Sequence, residues 1–101
     1  MKYNKLVRDK IPDKIKQAGS NPILHTADEN EYGVKLNEKL REEVDEFLKD
    51  GDVRELADIL EVVYTISETR GVSKEKLERT RKEKLEKVGG FKNKIILDEV
   101  N

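Results

Sequence analysis

Between Asp52 and Arg70 the apolar side chains are too widely spread for a helix resting on a single neighbour. At about 100° per residue, Leu56, Ala57, Ile59, Leu60, Val62, Val63, Tyr64 and Ile66 span an arc of roughly 220°. A helix on the surface of a single layer shows an apolar stripe only somewhat over ~100° wide. A chain of 101 residues has room for one domain, residues 1–101, and few other helices to cover such an arc. The pattern therefore predicts a mainly α protein that packs helix on helix as a homodimer, with a tetramer as the larger alternative.

Turn signals divide the remainder into short elements. Pro12 suits the first turn of a helix that Gly19 and Ser20 end. A long helical pattern runs from about Asn30 to Lys49 and stops at Asp50–Gly51. Its stripe comprises Leu36, Leu40, Val44, Phe47 and Leu48, with Glu43 inside it and Glu46 on its margin. Asp52, with Glu55 three residues on, has the form of a capping box for the third helix, which Gly71 follows. Ser73 caps a fourth that ends at Gly89–Gly90. Two apolar stretches, near residues 22–27 and 93–98, read as a small two-stranded β element beside an antiparallel bundle of about four helices.

Charge is abundant, at 43% of residues, and segregated beneath a net charge of -1. Residues 1–16 carry six basic and two acidic side chains, residues 28–58 twelve acidic and five basic, and residues 70–94 ten basic and four acidic. An acidic middle with basic flanks suits divalent cations and phosphates, or helix faces that attract one another. It does not suit nonspecific nucleic-acid binding, because the middle would repel a phosphate backbone. No apolar run reaches the ~18 residues that a membrane span requires. The first residues lack a signal-peptide core, and with no cysteine there is neither a disulfide framework nor a thiolate site. A soluble, cytoplasmic chain is expected.

Two carboxylate pairs carry the chemistry: Glu43 with Glu46, and Glu55 with Asp58. Residues three apart on a helix are neighbours, so each pair can grip one cation. An antiparallel turn at Lys49–Gly51 brings the pairs together, where hard divalent ions would relieve their repulsion. The same spacing also suits arrangements that need no metal. The acidic faces can trade salt bridges with Lys35, Lys39 or Arg54, and the capping box accounts for Glu55 by itself. Glu43 is the exception, since a carboxylate on an apolar stripe is costly without a partner. In the fourth helix Arg81 and Lys84 share the side of Leu77, Leu85 and Val88, and two cations turned inward call for anions opposite them. His25 reads as structural, and Tyr3, Tyr32 and Tyr64 as packing residues. No GxxxxGK[ST] motif is present, which excludes a P-loop ATPase.

The run Leu40–Arg–Glu–Glu–Val–Asp–Glu46, followed by Glu55–Leu–Ala–Asp58, resembles the EExxE…ExxD signature of MazG-like pyrophosphohydrolases. The opening YNKLVRDKIP (Tyr3 to Pro12) and the closing GGFKNKIIL (Gly89 to Leu97) are similar to a small single-domain branch, phosphoribosyl-ATP pyrophosphohydrolase-like, although Val88 stands where that branch leads one to expect a basic residue. The resemblance implies an all-α, dimeric fold and Mg²⁺-dependent hydrolysis, with Mn²⁺ an alternative metal. A nucleoside triphosphate or related nucleotide would be cleaved between its α- and β-phosphates to a monophosphate and pyrophosphate, as in the clearance of noncanonical nucleotides. It implies Glu43, Glu46, Glu55 and Asp58 as metal ligands and Glu42, Glu43 and Glu46 as the catalytic acidic run. It also implies Arg8, Lys10, Arg81 and Lys84 at the phosphates, with Phe91 and Lys94 lining the nucleotide pocket. The alternatives are phosphoribosyl-ATP hydrolysis in histidine biosynthesis and a non-catalytic helical dimerisation or regulatory module.

Overall fold

The computed structural model describes residues 2–101 and contains four helices: α1 (Ile11–Gln17), α2 (Glu29–Asp50), α3 (Val53–Thr69) and α4 (Lys74–Val88). The mainly α class stands. Each long helix starts on a side-chain cap that satisfies a backbone N–H left without an intrahelical partner. Asp28 accepts from the Glu31 amide at 2.8 Å, Asp52 from the Arg54 amide at 2.9 Å, and Ser73 from the Lys76 amide at 3.1 Å. The α2–α3 turn is tight because Gly51 adopts φ +69° and its amide donates to the Phe47 carbonyl at 2.8 Å. A residue with a Cβ takes that left-handed conformation only at a cost, so the glycine sets the reversal that lays α3 back along α2.

The α2–α3 pair is the body of the protein, and its core is small. Leu36 and Val62 are the buried apolar residues among those described, joined by Glu43 and Ser67. The Ser67 hydroxyl donates to the Val72 carbonyl at 2.8 Å, closing the α3–α4 connection. The broad arc of α3, expected to be covered on more than one side, is only partly covered within the chain. Val62 is buried and Ile59, Val63, Tyr64 and Ile66 are half-buried, while Leu56 and Leu60 stay uncovered, as does Leu48 on α2.

Among the described residues no β-strand forms, so the expected two-stranded element is absent. Residues 22–27 and 93–98 run as irregular chain, with Ile23 97% and Ile95 81% exposed. The physical reason is the cost of closure. Two short segments some seventy residues apart would pair as an isolated ribbon, which is marginal in water without a third strand or a helix behind it. Helix α4 packs on α3 and not on α2, and every residue from Arg79 onward is exposed. The chain is therefore extended, with a radius of gyration of 18.0 Å against about 13 Å for a compact domain of this length.

Candidate functional site

Three of the four expected metal ligands flank the α2–α3 turn and the fourth lies one turn farther back on α2. Glu43 is buried within the apolar stripe, as its position requires, and Lys39 one turn earlier meets it at 3.3 Å. The same ammonium lies 3.6 Å from Glu42. Glu42 is also held by Lys5, 3.0 Å away and 37 residues back in the chain. The Lys5 hydrogen bond holds the Glu42 carboxyl below its ordinary range, against the opposing effect of burial. Lys5 in turn is raised, first by that hydrogen bond and then by the Glu42 charge, with smaller contributions from Glu46 and Glu43. The N-terminal segment thus lies over the acidic face of α2.

On α3, Asp58 receives the Arg8 guanidinium at 2.8 Å. Glu55 is the outlier. Asp52 caps the helix through the Arg54 amide, and the reciprocal half of a capping box, in which Glu55 would reach back, is not made. Instead one Glu55 oxygen, Oε2, is buried and has no hydrogen-bond partner. Burial pushes the Glu55 carboxyl above its ordinary range, and the charges of Asp50, Glu46 and Asp52 push it further. Asp50, absent from the residues expected at the site, therefore belongs with Glu46 and Glu55. Its signal was its place four residues after Glu46, on the same helix face.

Among the described residues no three Asp, Glu or His side chains converge to chelate one ion as they stand. The cause is visible in the ion pairs: Glu42, Glu43 and Asp58 are each turned to a protein cation, leaving Glu46, Asp50 and Glu55 to repel one another. The donor set nevertheless fits a hard divalent ion. All the candidate ligands are carboxylates, and one of them presents a buried oxygen that lacks a positive partner.

The expected phosphate-binding residues divide into two groups. Arg8 is at the carboxylates, while Lys10 is exposed at the N-cap of α1. Arg81 and Lys84 do not face acidic residues of α2. Arg81 is bound to Glu78 of its own helix, at 2.9 Å through Nε, and α4 makes no contact with α2. The reason is the sparse apolar content of α4. Leu77 is its one half-buried apolar residue, beside a half-buried Glu78, so only its first turns lie against α3. Phe91, 98% exposed, and Lys94 lie beyond the end of α4. Lys74 rests 4.5 Å from the centroid of the Tyr64 ring, and His25 is tied to Glu31 at 2.9 Å.

A stretch of 52 residues is 44% identical to an uncharacterized protein of Mycolicibacterium smegmatis (strain ATCC 700084 / mc(2)155), covering 52% of this chain and 52% of that protein. The chain thus spans about half the length of the curated relative it matches. No family model and no solved structure matches the chain.

Proposed function

We propose that the chain is a Mg²⁺- or Mn²⁺-dependent nucleotide pyrophosphohydrolase that cleaves between the α- and β-phosphates to release pyrophosphate. The observation that carries the reading is Glu55, a half-buried carboxyl with an orphaned oxygen beside Glu46 and Asp50. Such an arrangement costs stability in the metal-free chain and is compensated by a cation. The resemblance of Glu42–Glu46 and Glu55–Asp58 to the MazG-like signature supports the same assignment.

Glu43, Glu46, Glu55 and Asp58 would hold the metal, which when bound neutralises phosphate charge and makes water more acidic. Glu42, a carboxylate beside the proposed ligand Glu43 on α2, is an acceptor that can orient the attacking water. Arg8, the one expected phosphate-binding residue that reaches the carboxylates, would neutralise charge that builds on the phosphates. Hydrolysis of this kind rests on positioning and electrostatics more than on a covalent nucleophile, in keeping with a chain that has no cysteine and one histidine.

The working form in this reading is a homodimer. The chain exposes 9472 Å², against about 5,900 Å² for a compact monomer of 11.7 kDa. Leu48, Leu56 and Leu60 are among the uncovered apolar residues on α2 and α3, where a second copy would pack.

The test is pyrophosphate release from a panel of nucleoside triphosphates and phosphoribosyl-ATP with Mg²⁺ or Mn²⁺, comparing wild type with Glu46→Ala. Metal-dependent release that the variant loses supports the proposal. No release from any substrate, with no effect of either metal on thermal stability, overturns it.

A further inference from the structure

We propose that the N-terminal segment is a metal-displaced strap, in which Lys5 and Arg8 act as built-in counter-cations for the α2–α3 carboxylates and leave when a divalent ion takes their place. The inference rests on the metal-binding reading of those carboxylates. It is drawn from how the segment is attached. Lys5 reaches Glu42 at 3.0 Å and Arg8 reaches Asp58 at 2.8 Å, so the two ties fall on different helices, one beside a proposed ligand and one on a ligand itself. A third tie, from Lys35 Nζ to the Asn4 carbonyl at 2.8 Å, holds the segment between its end and Lys5. Asn4 is in the left-handed region, φ +48°, which an asparagine tolerates better than most residues but which still has to be imposed.

The helix that follows adds little anchorage, because no part of the α1 backbone packs on α2, α3 or α4. Both ion pairs are substantially open to solvent, with Arg8 58% and Lys5 42% exposed, so each is weak enough to exchange. A doubly charged ion bound by several carboxylates outcompetes single cations on long, freely rotating side chains. The same exchange accounts for the dispersed ligands. Asp58 is turned to Arg8 while the strap is in place, and it becomes available to an ion once the guanidinium departs. Arg8 is then free for a phosphate group, so one residue serves the empty and the loaded states in turn.

The experiment uses the full chain and Mn²⁺ alone, with no nucleotide. Affinity is measured by calorimetry for wild type, for Lys5→Gln/Arg8→Gln, and for Lys14→Gln/Lys16→Gln as a control that removes two nearby charges from α1. The initial rate of tryptic cleavage after Arg8, relative to cleavage after Lys92 in the exposed tail, reports release of the strap in wild type. The strap predicts Mn²⁺ binding about three- to fivefold tighter in Lys5→Gln/Arg8→Gln, as for two weak surface ion pairs removed, and within about 1.5-fold of wild type in the control. It also predicts that saturating Mn²⁺ speeds cleavage after Arg8 severalfold. Equal affinities in all three proteins, or a gain as large in the control, overturn the strap and leave the metal site standing, as does cleavage unchanged by Mn²⁺. Absence of Mn²⁺ binding in every protein overturns both.

Discussion

The Arg8 guanidinium lies 2.8 Å from Asp58 Oδ1, joining the N-terminal segment to the second turn of α3 across fifty residues of chain. Because the pair is largely open to solvent, it contributes little to folding, within about 0.5 kcal/mol. Its value lies in placing a guanidinium beside the proposed phosphate site. Arg8→Ala should leave the thermal midpoint within about 2 °C of wild type while raising KM for the nucleotide about tenfold. Melting curves and steady-state pyrophosphate release check the two halves separately.

Glu55 should behave in the opposite manner to a stabilising residue. Its carboxyl is raised, so the folded chain holds that proton more tightly than the unfolded chain does. Its contribution is therefore fully present below the ordinary carboxylate value and is lost as pH rises through the folded-state value. Glu42 is lowered, so its contribution is present above the ordinary value and disappears as pH falls through its folded-state value. In the metal-free protein Glu55→Gln should raise the midpoint at neutral pH by about 2–5 °C, and the gain should vanish on acidification. Lys5→Gln should lower the midpoint slightly at neutral pH, and that loss should also fade in acid. Melting curves between about pH 3 and pH 7 separate the two.

Leu36 and Ser67 test the fold independently of chemistry. Leu36 is 3% exposed in a core with few other members, so Leu36→Ala should cost about 2–4 kcal/mol. Ser67→Ala removes the hydroxyl that donates to the Val72 carbonyl and should cost about 1 kcal/mol, loosening the α3–α4 connection. Urea denaturation followed by circular dichroism measures both.

Association follows from the uncovered leucines. Light scattering should give twice the 11.7 kDa chain mass for wild type. Leu56→Glu/Leu60→Glu, placing charge on the exposed flank of α3, should give a monomer of lower thermal stability.

Much of the fold was legible because helix signals are local. Asp28, Asp52 and Ser73 cap helices that periodicity had located, and Gly51 turns the chain as its lack of a Cβ allows. The burial of Glu43 was likewise written in its place between Leu40 and Phe47. The short β element was not legible, since residues 22–27 and 93–98 have the right composition but nothing on the chain to pair against. Contacts distant in sequence were equally hidden: no spacing rule joins Lys5 to Glu42 or Arg8 to Asp58. The fourth helix misled for a physical reason. Its basic face was read as turned inward, yet three apolar residues are too few to hold its length against the other helices.

If carboxylates from α2 and α3 hold one shared ion, as proposed, a double-mutant cycle on Mn²⁺ affinity will register their coupling. Glu46→Gln and Glu55→Gln, made singly and together, should be strongly non-additive, with the double variant binding little more weakly than either single one. Losses that simply add, or single variants that bind Mn²⁺ as wild type does, would rule out a shared ion.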